Sequence, residues 1–187
     1  MSLDNPEFIY GKRNVKVPLT NGKLLLDGSS LTIDALMTIA TYKSSRSMPA
    51  LELDLTDEAW KRVHAAREVV DKIVREKKVV YGITTGFGNF ANVVIPMDKV
   101  EQLQVNLITS HAAGVGAPLT LERTLSLLAL RINTLAKGFS GIRPETLRQM
   151  ITFFNRKCIP YVPSQGSVGA SGDLAPLSHL ALGLIGQ

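Results

Sequence analysis

At 187 residues, 45% of them apolar, the chain is long enough for one domain with a real core. Its net charge of +5 is carried by scattered cations (Lys12, Arg13, Lys61, Arg62, Lys77, Lys78) rather than a basic patch interleaved with aromatics, which argues against a nucleic-acid partner. No run has the apolar length of a membrane span, and MSLDNPEFIYGKRNVKV has no signal-peptide core, so a cytoplasmic protein without a membrane partner is expected.

In chain order, KVPLTNGKLLLDG alternates around Asn21-Gly22, a hairpin signal. Ser30 precedes LTIDALMTIATY, with Asp34 in the first turn, and predicts a helix from near Leu31. Residues 44–49 read as a loop and LELDL (51–55) as a short strand. Thr56 caps DEAWKRVHAAREVVDKIVREK, with Trp60, Val63, Val70 and Val74 on one face and His64 exposed. Asp98 opens a helix carrying Val100, Leu103, Leu107 and His111. Thr120 opens another, with Leu121, Leu125, Leu128, Ile132 and Leu135, which stops at the C-cap pair Lys137-Gly138. Pro144 starts a helix over 145–156, and Asp173 can cap a last one with Pro176 in its first turn. The fold class is mainly α with a small N-terminal β element, without repeats or low-complexity tracts.

Several candidate motifs fail on spacing. GFGNFA (86–91) matches a dinucleotide fingerprint, but neither a helix nor a suitably placed acid follows. YGITTGFGNFANVVIP (81–96) is better read as a long mobile loop whose phenol is Tyr81. GASGD (169–173) lacks the G-x-S-x-G spacing of a nucleophile elbow, and no strand pattern precedes it. Cys158 has no partner for a disulfide or a zinc site and reads as a half-buried free thiol; no metal is expected. His179 reads as structural or packed at an interface, and His111 alone as a core histidine with a satisfied hydrogen bond. Tyr81 would serve as a base only if cations or hydrogen-bond donors lower its pKa from about 10.

Four segments, YGITTGFG (81–88), LQVNLITSHAAGVG (103–116), NTLAKGFSGIRPE (133–145) and GSVGASGDLAPLSHLALGLIG (166–186), together resemble the aromatic amino acid ammonia-lyases. The resemblance implies the long-helix bundle of the L-aspartase/fumarase-type superfamily. Residues 1–112 would form an N-terminal region with the Tyr81 loop, and 113–187 would begin the central helical domain. It also implies that Ala170, Ser171 and Gly172 cyclise into a 4-methylidene-imidazol-5-one, with no external cofactor. Glycine permits the sharp bend, Ala170 keeps the ring small, and Ser171 supplies the leaving hydroxyl. Asp173 would assist the proton transfers, and the helix start offers a positive dipole end to an electron-poor ring. The substrate amine would add to the methylidene carbon while Tyr81, on its lid-like loop, removes the β-proton.

Gly88, Ser110 and His111 are the implied substrate-binding residues. Ser110-His111 is the histidine-type pair, where phenylalanine-type members tend to carry Phe-Leu and tyrosine-type members His-Leu. The implied reaction converts L-histidine to trans-urocanate and ammonia, in a homotetramer whose sites draw on several subunits. Family members are much longer, and LSHLALGLIGQ (177–187) stops while still apolar and helical in pattern. The chain is therefore expected to be the N-terminal part of a lyase, prone to associate and inactive by itself. A phenylalanine or tyrosine lyase or aminomutase of the same family, and a non-catalytic assembly module, remain as alternatives.

Overall fold

The computed structural model describes residues 7–9, 16–20, 22–41, 51–168 and 172–187. Asn21, the loop expected at 44–49, and Ala170 and Ser171 lie outside them. The elements run β1 (Glu7–Ile9), β2 (Lys16–Pro18), β3 (Lys23–Leu26), α1 (Ile33–Thr41), β4 (Glu52–Leu55), α2 (Asp57–Arg75), α3 (Val100–His111), β5 (Val115–Pro118), α4 (Leu121–Leu135), α5 (Pro144–Asn155), β6 (Pro163–Gln165) and α6 (Leu174–Leu184). They divide into two units, Met1–His64 with Thr120–Ile159, and Ala65–Leu119 with Pro160–Gln187.

In the first unit β1 pairs antiparallel with β2. On either side of Asn21, Thr20 and Lys23 exchange both backbone hydrogen bonds at 2.9 and 3.0 Å, and Gly22 takes φ 76°. Among the described residues no hairpin between β2 and β3 is seen. β3 runs parallel to β4 instead, with Leu24 opposite Leu53 and Leu26 opposite Leu55. All four of these leucines are buried, so the apolar alternation selects a core partner over the local one.

α1 begins later than the Ser30 signal predicts. Thr32 Oγ1 accepts the Ala35 N–H at 3.1 Å and acts as the cap, while the Ser30 N–H donates to Asp27. Thr56 caps α2 as expected, its Oγ1 accepting the Ala59 N–H at 3.2 Å. On the expected α2 face Val63 is buried, Trp60, Val70 and Val74 are half-buried, and His64 is exposed. α4 buries Leu125, Leu128, Ile132 and Leu135, though Leu121 is exposed. Its end follows the sequence signal: Gly138 at φ 76° donates to the Leu135 carbonyl at 3.1 Å. A Cβ there would lie 2.7 Å from Arg62 Cβ, so only glycine fits. α1 and α5 pack on α4, and Pro144 occupies the first turn of α5. Cys158 is exposed rather than half-buried, because α5 has already ended at Asn155.

The second unit holds the later part of α2, the 76–99 loop, α3, β5, β6 and α6. A 3-10 turn at Met97–Lys99 precedes α3, so the helix expected from Asp98 starts at Val100, with no side-chain cap. Its Val100, Leu103, Leu107 and His111 face is half-buried. β5 and β6 pair antiparallel, with Val115 opposite Gln165 and Pro118 opposite Pro163. A short strand therefore does precede the GASGD segment, contrary to expectation; at three residues including a proline it carries no alternation to read. Among the described residues no helix is long and apolar enough to cross a membrane.

Candidate active site

All the described candidate residues fall in the second unit. The loop expected to be mobile is tied internally. Thr84 and Thr85 are buried within it. Thr84 Oγ1 donates to the Lys78 carbonyl at 2.7 Å and accepts the Val80 N–H at 2.9 Å. Thr85 Oγ1 donates to the Gly86 carbonyl at 3.0 Å and accepts the Gly82 N–H. Backbone bonds from Gly86 to Val93 and from Ile95 to Thr84 close it. Tyr81 stands outside these ties, 62% exposed, with its ring edge-on to Phe87 at 6.0 Å. Gly88 takes φ 56°, and among the described residues nothing lies within 4 Å of where its Cβ would stand.

Ser110 and His111 end α3. His111 Nδ1 lies 2.8 Å from the Leu107 carbonyl, which can only accept, so Nδ1 carries the proton that donates. The Ser110 hydroxyl donates to the same carbonyl at 3.0 Å and offers a lone pair toward Nδ1, also at 3.0 Å. In the neutral ring Nε2 then keeps a lone pair. His111 is half-buried and not a core residue, because it occupies the last turn of a helix with no fully buried position.

Beyond α3 the Gly114 N–H donates to His179 Nε2 on α6 at 3.0 Å. Asp173 occupies the N-cap position of α6, but its side chain makes no capping bond. Its carboxylate accepts from the Ser167 hydroxyl instead. Among the described residues no side-chain cap bond is made at the start of α6, and Pro176 in its first turn has no N–H. Gly172 takes φ 104°, and among the described residues nothing lies within 4 Å of a Cβ position there. Gly172, the described residue of the triplet, fits a ring built from the backbone: a left-handed glycine with a carboxylate next to it and a helix start behind it.

α3 packs on α6, which brings the His111 end together with the helix that follows the triplet. Among the described residues no hydrogen bond joins Tyr81 or Gly88 to Ser110, His111 or Asp173, and no group of three or more metal-binding side chains exists. An open cleft of about 560 Å³ in the first unit, lined by Asp27, Glu58, Arg62 and Lys137, contains none of the candidate residues. Sequence reasoning missed the Gly114–His179 and Ser167–Asp173 links. Two polar residues at the borders of a glycine-rich stretch were the available signal.

The family model described as aromatic amino acid lyase matches residues 31–187. The chain belongs to that family. It is 58% identical to human histidine ammonia-lyase over 97% of its own length. The crystal structure of histidine ammonia-lyase from Trypanosoma cruzi matches 86% of this chain at 48% identity and a TM-score of 0.75. A tyrosine aminomutase structure from Streptomyces globisporus matches 83% at 34% identity and a TM-score of 0.71. This aromatic amino acid lyase chain spans 26% of the human relative's length, and 29% and 28% of the two crystallised chains.

Proposed function

We propose that this chain is part of a histidine ammonia-lyase, which eliminates ammonia from L-histidine and releases trans-urocanate. The observation that carries the reading is the Ser110-His111 pair. The Leu107 carbonyl holds the Nδ1 proton of His111, and the Nε2 lone pair is left to accept an N–H from the substrate's imidazole. Phenylalanine offers no such donor and would leave Nε2 unpaired, which disfavours it. The 58% identity to the human enzyme supports the same substrate.

Tyr81 takes the substrate's β-proton on its phenolic oxygen, and the internally tied loop carries Tyr81 and Gly88 as one piece. The open space at Gly88 admits the substrate backbone. Asp173 serves the ring closure, in which Gly172 N bonds to the Ala170 carbonyl carbon. Two waters leave. One contains the Ala170 oxygen with the Gly172 and Ser171 amide protons, the other the Ser171 hydroxyl with its α-proton. Once formed, the 4-methylidene-imidazol-5-one supplies the electrophile that converts the substrate amine into a leaving group, without an external cofactor. The reading includes a homotetramer, a cytoplasmic location, and residues 113–187 as the start of a central helical domain.

The test uses the full-length protein carrying this chain, given L-histidine, L-phenylalanine and L-tyrosine in parallel with an intact-mass measurement under denaturing conditions. The expected result is urocanate from histidine and a mass lower than the sequence mass by two waters. An unmodified mass with no turnover would leave the assembly module standing. A β-amino acid product from tyrosine would favour the aminomutase reading, which the Streptomyces globisporus structure supports at 34% identity.

A further inference from the structure

We propose that His179 is a positioning residue for recognition of the substrate side chain: it fixes the end of α3, and hence His111, by accepting the Gly114 N–H. The chain leaves α3 through a tight turn in which the Ala113 N–H bonds the His111 carbonyl at 2.8 Å. The next N–H, that of Gly114, goes to His179 Nε2 at 3.0 Å. This bond requires a lone pair on Nε2 and places the ring proton on Nδ1.

Packing leaves this junction little freedom. A Cβ on Gly114 would lie 3.1 Å from His179 Nε2 and 3.2 Å from the Gln165 carbonyl oxygen. A Cβ on Gly166 would lie 3.1 Å from both Gly114 Cα and Ala175 Cβ. Ala175 and His179 are four residues apart and share one face of α6. One helix face thus meets two crossing glycine backbones, the small residue against Gly166 and the imidazole against Gly114. An apolar residue at 179 could fill the volume but would leave the Gly114 N–H without its acceptor. The junction lies three residues from His111, and hydrogen-bond geometry at Nε2 is directional, so a small shift weakens the contact to the substrate imidazole.

The inference rests on the histidine reading. In the full-length protein, His179→Leu is expected to raise KM for L-histidine about five- to tenfold, the equivalent of one ordinary hydrogen bond. Its kcat should change less, its preference for histidine over phenylalanine should fall, and its mass should still show the loss of two waters. His179→Gln keeps an acceptor and should stay near the wild-type KM. Gly114→Ala pushes on the same contact from the other side and should raise KM, with a non-additive effect when combined with His179→Leu. If His179→Leu does not fold, the Gln and Gly114→Ala pair decides: both at the wild-type KM, or both equally impaired, overturns the proposal. A folded His179→Leu with unchanged KM and preference also overturns it. Wild type that shows the two-water loss yet leaves histidine untouched overturns the histidine reading and this inference with it.

Discussion

Asn155 satisfies both backbone groups of Leu53: its Oδ1 accepts the Leu53 N–H at 2.8 Å, and its Nδ2 donates to the Leu53 carbonyl at 3.0 Å. A single amide at the end of α5 thereby takes the place of a neighbouring strand beside a fully buried β4 residue. Asn155→Ala leaves two polar groups unpaired in the core and should cost about 1–3 kcal/mol. A lowered denaturant midpoint and faster amide exchange at Leu53 would show it. Asn155→Asp keeps the acceptor but sets a carboxylate oxygen against a carbonyl, and should be no better than alanine. A wild-type midpoint for both would contradict this account.

His111→Leu removes the Nε2 lone pair. Activity on L-histidine, as kcat/KM, should fall about 10- to 100-fold, with phenylalanine gaining relative to histidine. The mass should still be two waters short, since His111 has no part in ring closure. Unchanged selectivity would dissociate His111 from the substrate.

Tyr81→Phe keeps the edge-on contact with Phe87 and the loop ties, none of which uses the phenol oxygen. Ring formation should persist while kcat falls about 10²- to 10⁴-fold, the usual range for loss of a general base. Retained turnover would show that another group takes the β-proton.

Ser171→Ala removes the hydroxyl that must leave, so neither the full mass loss nor activity should appear. Ser167→Ala tests the other end of the chemistry. It frees the Asp173 carboxylate from its partner across the loop and should slow ring formation, followed by mass over time after synthesis. Closure at the wild-type rate would leave Asp173 independent of Ser167.

Asp27 accepts the Ser30 and Ser29 N–H groups, both at 2.7 Å, and these bonds hold its carboxyl below the ordinary value of 3.8. A folded-state pKa below the unfolded one stabilises the fold above pH 3.8, and that contribution is lost as pH falls through the folded value. Asp27→Asn should flatten the acid limb of a stability–pH curve, and an unaltered limb would count against it.

Helix positions were legible where a side chain acts on its own neighbours: Thr56 and Thr120 as caps, Pro144 at a first turn, Gly138 at an end. The Asn21-Gly22 signal could not name the partner of the strand after it, since β4 lies far along the chain and wins by burial. β5 and β6 are not legible in the sequence because VGAP and PSQ are short, mostly exposed, and contain proline with, in β5, a glycine. The Ser110-His111 pair drew attention through its likeness to a family. The lone pair at His179 did not, for LSHLALG reads as apolar packing until Gly114 arrives from a distant segment. The Asp173 cap was misjudged because a competing hydroxyl, Ser167, sits on the far side of the triplet.

The second unit is assembled from 65–119 and 160–187, and the segment between them belongs to the first. During translation α3 and β5 therefore emerge without α6 and β6, for a wait on the order of seconds. In that interval α4 and α5 are made, and the first unit has all of its chain. Until residues 160–187 follow, the face of α3 that packs on α6 has no partner. Those residues complete a unit whose other segment is already translated.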